Sequence, residues 1–224
     1  MASMVWGGAL LDWLSRPGPS AAGSVWADAL EGLEGNGPLP WWAAGLYQAE
    51  PRRQLLRLRD QPNPALLEPW LAALLPRLEQ ATASFTQAGL LVPVPSWKRR
   101  ANPLPSLLAR GLAARLGWHL QPQILRRSRP VLGQHHLGRQ LRLANQEGAF
   151  LASPPSWWQR SPRPPVLLVD DILTTGATAG AASLSLQQAG WRLIGLACLA
   201  RTPSGRQRRG RDLQLTRRVG DRPG

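Results

Sequence analysis

The chain has 224 residues, 43% of them apolar, which is enough for one domain of ordinary size plus an appendage. A single cysteine, Cys198, excludes a disulfide framework and any cysteine-built zinc site, because each needs several thiols. The net charge of +14 is uneven: residues 1–90 hold six Arg against eight acids, giving −2, whereas residues 91–224 hold 21 Lys plus Arg against five acids, giving +16. The second part therefore faces an anionic partner. All the basic residues except Lys98 are arginine; codon bias in a GC-rich genome is the bland cause, but the planar guanidinium fork also grips phosphate with two hydrogen bonds.

Val5 to Leu14 is mildly apolar, but Asp12 interrupts it and no basic residue precedes it, which argues against a signal peptide. No run approaches the length of a membrane span, so a soluble, cytoplasmic protein is expected. Residues 1–45 are rich in Trp, Gly and Pro, with short helical pieces at Ala9 to Leu14 and Ser24 to Leu33 and a loop at Gly35 to Pro40. Arg52 to Arg59 mixes apolar and basic residues in a short helix-like stretch. From Pro64 to Ala83, Leu66, Leu67, Trp70, Leu71, Leu74, Leu75 and Leu78 recur at helical intervals, and Pro69 and Pro76 predict a kink or split.

From Gly89 strands and helices alternate: a strand at Leu90 to Val94, a basic loop at Lys98, Arg99 and Arg100, a helix over Leu104 to Leu116 and a strand over His119 to Leu125. Arg126 to Asn145 is a polar loop leading into a helix, and Val166 to Val169 is a fully apolar strand. Ala177 to Ala189 is an alanine-rich helix, followed by a strand from Arg192 to Leu199. Strands buried on both faces and separated by helices imply a mainly parallel sheet. The last 24 residues contain eight arginines, a flexible tail that either grips nucleic acid through phosphates or keeps the protein soluble.

The chemistry concentrates at Val166 to Thr178, VLLVDDILTTGAT. The apolar strand is expected to end at Asp170 and Asp171, at the edge where open α/β sheets bind ligands. Two exposed carboxylates there can accept hydrogen bonds from vicinal ribose hydroxyls. Thr174, Thr175, Gly176, Ala177 and Thr178 then open a helix whose N-terminal amides and dipole favour a phosphate. The bland alternative is a solvated turn and an ordinary helix cap. No G-x-x-x-x-G-K-[ST] motif occurs, which excludes a P-loop nucleotidase.

These residues match the phosphoribosyl-pyrophosphate (PRPP) signature of type I phosphoribosyltransferases. With Val92-Pro93-Val94-Pro95, Lys98 to Asn102, Leu125-Arg126-Arg127, Gln134 and Arg139 to Asn145 in this order, the chain resembles the ComF family of competence-associated phosphoribosyltransferase-like proteins over about Leu46 to Thr202. The resemblance implies an α/β fold, a mainly parallel sheet flanked by helices. It divides the chain into a helical, Trp-rich N-terminal appendage at 1–85, a core at 86–202 and the Arg-rich tail at 203–224. The family's N-terminal zinc cysteines are missing, so no zinc is expected and packing, through Trp26, Trp41 and Trp42, must hold that region. The family's R-G-F-N turn has become Arg100, Ala101, Asn102.

By the same resemblance Asp170 and Asp171 are catalytic and contact ribose, Thr174 to Thr178 bind the 5-phosphate, Ser96, Lys98, Arg99 and Arg100 flank the pyrophosphate, and Arg126, Arg127, Gln134 and Arg139 belong to a mobile hood. Magnesium is expected with PRPP if the protein is active, and no metal held by the protein alone. Two functions remain open. One is a PRPP-binding protein of natural competence, with single-stranded DNA and competence proteins as partners. The other is an active phosphoribosyltransferase with an unknown acceptor. His135 and His136 read as surface or substrate contacts, Cys198 as a small buried hydrophobe, and Trp97, Trp157 and Trp158 as the tryptophans placed to stack on bases.

Overall fold

The computed structural model describes residues 29–96, 102–128, 148–154 and 163–203. Trp26, Trp97, Lys98, Arg99, Arg100, Gln134, His135, His136, Arg139, Trp157, Trp158 and residues 204–224 lie outside the described residues, as do the helices expected at Ala9 to Leu14 and before Asn145.

In chain order the elements are β1 (Leu33–Gly35), β2 (Trp41–Leu46), α1 (Ala49–Asp60), α2 (Pro64–Thr82), β3 (Leu90–Pro93), α3 (Leu104–Leu116), β4 (His119–Leu120), β5 (Leu125–Arg127), β6 (Phe150–Ala152), β7 (Pro165–Leu173), α4 (Ala177–Gln188) and β8 (Arg192–Arg201). Six strands form one sheet in the order β1-β2-β8-β7-β3-β4. All its neighbours are parallel except the β1–β2 hairpin. Strands β5 and β6 make a separate antiparallel ribbon. The fold is thus the expected mainly parallel sheet flanked by helices.

Each face of the sheet carries its own core, because side chains alternate along a strand. On one face Leu167 and Val169 of β7 pack with Leu55 and Leu58 of α1, Trp70, Leu71 and Leu74 of α2, and Leu108 and Leu112 of α3. On the other, Val166 and Leu168 pack with Leu125 and Phe150 of the ribbon and Ala182 and Leu186 of α4. None of the described helices is long and apolar enough to cross a membrane.

Helix α2 runs from Pro64 to Thr82 through Pro69 and Pro76, so it is not split. Asn63 caps it, accepting from the Ala65 amide at 2.9 Å, and Pro64 sits in the first turn where its missing N–H is harmless. The buried stripe from Leu67 to Leu78 outweighs the two lost backbone bonds.

Sequence periodicity gave no strand before residue 86, yet Trp41–Leu46 pairs with β8 over Trp41↔Leu196 to Leu46↔Arg201. The N-terminal segment therefore contributes to the same sheet and the same core as the strands and helices after residue 86. Trp41 and Trp42 lie on opposite faces of β2 and pack against the two cores. Gly195 of β8 makes room for Trp42, since a Cβ there would come within 2.3 Å of the indole and 2.9 Å of the Pro40 carbonyl. Gly195→Ala is expected to lower stability by about 1–3 kcal/mol through overpacking; denaturant titration checks this, and an unchanged midpoint would show that the indole moves aside freely.

Candidate functional site

Strands β2, β8, β7 and β3 point the same way, so their carboxyl ends converge on one edge. Strand β7 does not end at its acids. It runs on to Leu173, because β8 is long enough to pair Asp170 with Cys198, Ile172 with Ala200 and Leu173 with Arg201. The two acids are consequently held in a hydrogen-bonded strand, and the expectation that both are exposed is corrected: Asp171 is buried, at 8% exposure.

The protein itself engages Asp171. Its Oδ2 accepts from the Arg59 guanidinium at the C-terminal end of α1 and from Asn102 Nδ2 at 2.7 Å, while Oδ1 accepts from the Ile172 amide at 2.8 Å. A carboxylate offers about four lone-pair positions; these three bonds take two on Oδ2 and one on Oδ1, and the Asp170 carboxyl contacts the Asp171 carboxyl as well. Asp170 Oδ1 accepts from the Asp171 amide at 2.9 Å. Burial, the neighbouring Asp171 charge and a carboxyl–carboxyl contact push the Asp170 carboxyl well above its usual range, against the pull of Arg127.

Arg127 of β5 lies with its guanidinium 4.1 Å from the Phe150 ring centroid and donates from Nε to the Pro95 carbonyl at 3.1 Å, tying the ribbon to the end of β3 next to Ser96. Burial lowers its pKa, offset by Asp170. Arg126 is exposed, because neighbouring strand residues face opposite sides. The structure thus brings Arg127 to the acids and turns Arg126 away.

Beyond Leu173 the chain turns through Thr174 and Thr175 into α4. Gly176 caps the helix at φ +80°, and its would-be Cβ meets nothing closer than 3.9 Å, so backbone conformation rather than crowding calls for glycine. The Ala177 amide approaches Thr175 Oγ1 at 3.4 Å. The amides of Thr174, Thr175 and Gly176 have no acceptor among the described residues. The carbonyls, by contrast, are tied back. Arg201 donates to those of Leu173, at 3.0 Å, and Thr174, and the Thr202 amide also donates to Leu173 at 3.0 Å. Arg201 in turn lies over Trp41, 5.6 Å from the ring centroid. A helix N-terminus with open amides and anchored carbonyls is a natural anion site.

Sequence reading missed Arg59 and Arg201 as site residues, and noted Asn102 only as part of a degenerate turn. Arg59 stands four residues after buried Leu55, on the inward face of α1, a spacing that could have marked it.

Raising a carboxyl's folded pKa above its unfolded value means that the folded state binds more protons than the unfolded one. Stability then falls as pH climbs above the ordinary value of 3.8 toward the raised one. Asp170→Asn is therefore expected to raise the melting temperature at neutral pH, with a gain that shrinks as pH drops toward 4. Thermal scans across pH 4–8 read this, and a gain independent of pH would refute the assignment.

No family model matches the chain. It is 33% identical over 116 residues to the DNA utilization protein YhgH of Salmonella typhi, covering 50% of this chain and 49% of that protein. It is 32% identical over 143 residues to its namesake in Salmonella typhimurium, covering 59% and 61%. The chain thus spans roughly half to three-fifths of the length of the curated relatives it matches. Among solved structures, an adenine phosphoribosyltransferase from Saccharomyces cerevisiae overlaps at a TM-score of 0.40 and 22% identity, covering 62% of this chain and 70% of that one. A second adenine phosphoribosyltransferase gives 0.42 and 18%, covering 84% and 94%. Overlaps this loose add nothing to what the strand order already shows. By sequence, the chain is similar to the DNA utilization protein YhgH over part of its length, and its fold is a mainly parallel sheet flanked by helices.

Proposed function

We propose that this protein binds PRPP or a related sugar phosphate at the carboxyl edge of its sheet, and that it acts in the cytoplasm in the handling of single-stranded DNA during natural competence. The observation that carries the ligand is one juxtaposition: amides at Thr174, Thr175 and Gly176 with no acceptor among the described residues, starting three residues beyond a carboxyl pair suited to sugar hydroxyls. The DNA role is supported by the name of the Salmonella relatives and by the +16 charge of residues 91–224. Magnesium would arrive with PRPP and offset the charge of its pyrophosphate, and Asp170 offers it an oxygen donor.

Calorimetry with PRPP and magnesium, followed by competition with a single-stranded oligonucleotide, tests both parts. Heat of PRPP binding and an oligonucleotide affinity that falls steeply with salt are expected. No PRPP binding removes the first part, and salt-independent DNA binding, or undiminished transformation after gene deletion, removes the second. Phosphoribosyl transfer is the second reading. The raised Asp170 carboxyl favours it, since a carboxylate with elevated pKa is a better proton acceptor for an attacking amine. Pyrophosphate release from PRPP across a panel of acceptors distinguishes it.

A further inference from the structure

Helix α1 carries four arginines, and three of them, Arg52, Arg53 and Arg57, are exposed. Arg53 turns back to Glu50 on its own helix at 2.7 Å. Arg59 does otherwise. Leu55 and Leu58, both fully buried, fix the helix on the core, and the Arg59 side chain, 35% exposed, reaches across to a carboxylate 112 residues away that is itself 12% exposed. Its Nη2 meets Asp171, while its Nε is buried without a partner among the described residues. A buried donor left unmet is costly, and a bound ligand oxygen is one way such a cost is relieved.

We propose that Arg59 is a positioning residue of the sugar-phosphate site: with Asn102 it clamps Asp171 Oδ2 and so fixes the orientation in which the carboxyl meets one ribose hydroxyl. This rests on the reading of the site as a PRPP site and adds to it the means by which the ribose is oriented. Arg59 comes from the N-terminal part of the chain, whereas the phosphate loop, the carboxyl pair and Asn102 come from the part after residue 86. Sugar recognition at this edge thus requires both. Around the pair stand Arg59 from α1, Asn102 ahead of α3, Arg127 from β5 and Cys198 of β8, with Arg201 at the end of β8. Of these groups Arg59 and Asn102 bond the Asp171 side chain.

The test is a double-mutant cycle on the full chain, read by calorimetry with PRPP and magnesium. Arg59→Gln is expected to weaken PRPP binding about tenfold, one charged hydrogen bond's worth. In an Asp171→Asn background the same change should cost less than about twofold, because the contact it acts through is already gone. Binding of inorganic pyrophosphate, which has no ribose, should stay within about twofold of wild type in Arg59→Gln, a selectivity that a merely structural role does not produce. Arg59→Lys keeps the charge but not the fork, so its loss should fall between those of wild type and Arg59→Gln. If Arg59→Gln fails to fold, Arg59→Lys decides: affinity equal to wild type overturns the proposal. Additive losses in the cycle, or equal losses for PRPP and pyrophosphate, overturn it while leaving the PRPP reading intact. A wild-type protein that does not bind PRPP overturns both.

Discussion

Asp170→Asn combined with Asp171→Asn is expected to lower PRPP affinity at least about a hundredfold. A hydrogen bond to a charged group contributes about 1.5–3 kcal/mol, so two lost together amount to about 3–6 kcal/mol, and each 1.4 kcal/mol is a factor of ten. Calorimetry at fixed magnesium measures it, and unchanged affinity would sink the sugar-phosphate assignment. The single variants should separate in stability while agreeing in affinity. Asp170→Asn relieves a half-buried, charge-opposed carboxyl and stabilises the fold at neutral pH. Asp171→Asn removes the counter-charge of Arg59 from a partly buried pair and destabilises it. A protein in which both substitutions shift melting the same way would not have this asymmetric pair.

Trp70→Ala should be the most damaging single truncation in the core. Trp70 is fully buried on α2 in the cluster that also holds Leu91 of β3, Leu167 and Val169 of β7 and Leu199 of β8. Removing a buried tryptophan costs about 3–5 kcal/mol, and at about 2–4 °C per kcal/mol for a chain of this size the melting temperature should drop by roughly 6–20 °C. Because α2 and the central strands share that cluster, calorimetry should record a single transition at the lower temperature. Two transitions, with only one of them shifted, would mean that the segment before residue 86 unfolds as a unit of its own.

The strand, loop and helix from Pro165 to Gln188 were legible because an unbroken apolar run, two acids and a hydroxyl-rich turn occupy one short segment. Helix α2 was legible from its three- and four-residue spacing, which Pro69 and Pro76 do not erase. Strand β2 was not. Trp41 to Leu46, WWAAGL, has neither alternation nor a β-branched residue, and it is a strand because β8 lies alongside to pair with it. Arg59 and Arg201 escaped for a related reason. Their roles are defined by partners distant in sequence, Asp171 for one and Leu173 and Thr174 for the other. In an arginine-rich chain nothing local distinguishes them from the solvated arginines around them.

The alternation of β7 has a consequence for how this edge responds to change. Asp170 follows Val166 and Leu168 toward the layer of α4 and the β5–β6 ribbon, while Asp171 follows Leu167 and Val169 toward α1 and α3. Two neighbours in the chain thereby answer to different floors of the building. A disturbance in the α1 and α3 layer acts first on Asp171 and a shift of the ribbon first on Asp170, and the contact between the two carboxyls passes each change on to the other.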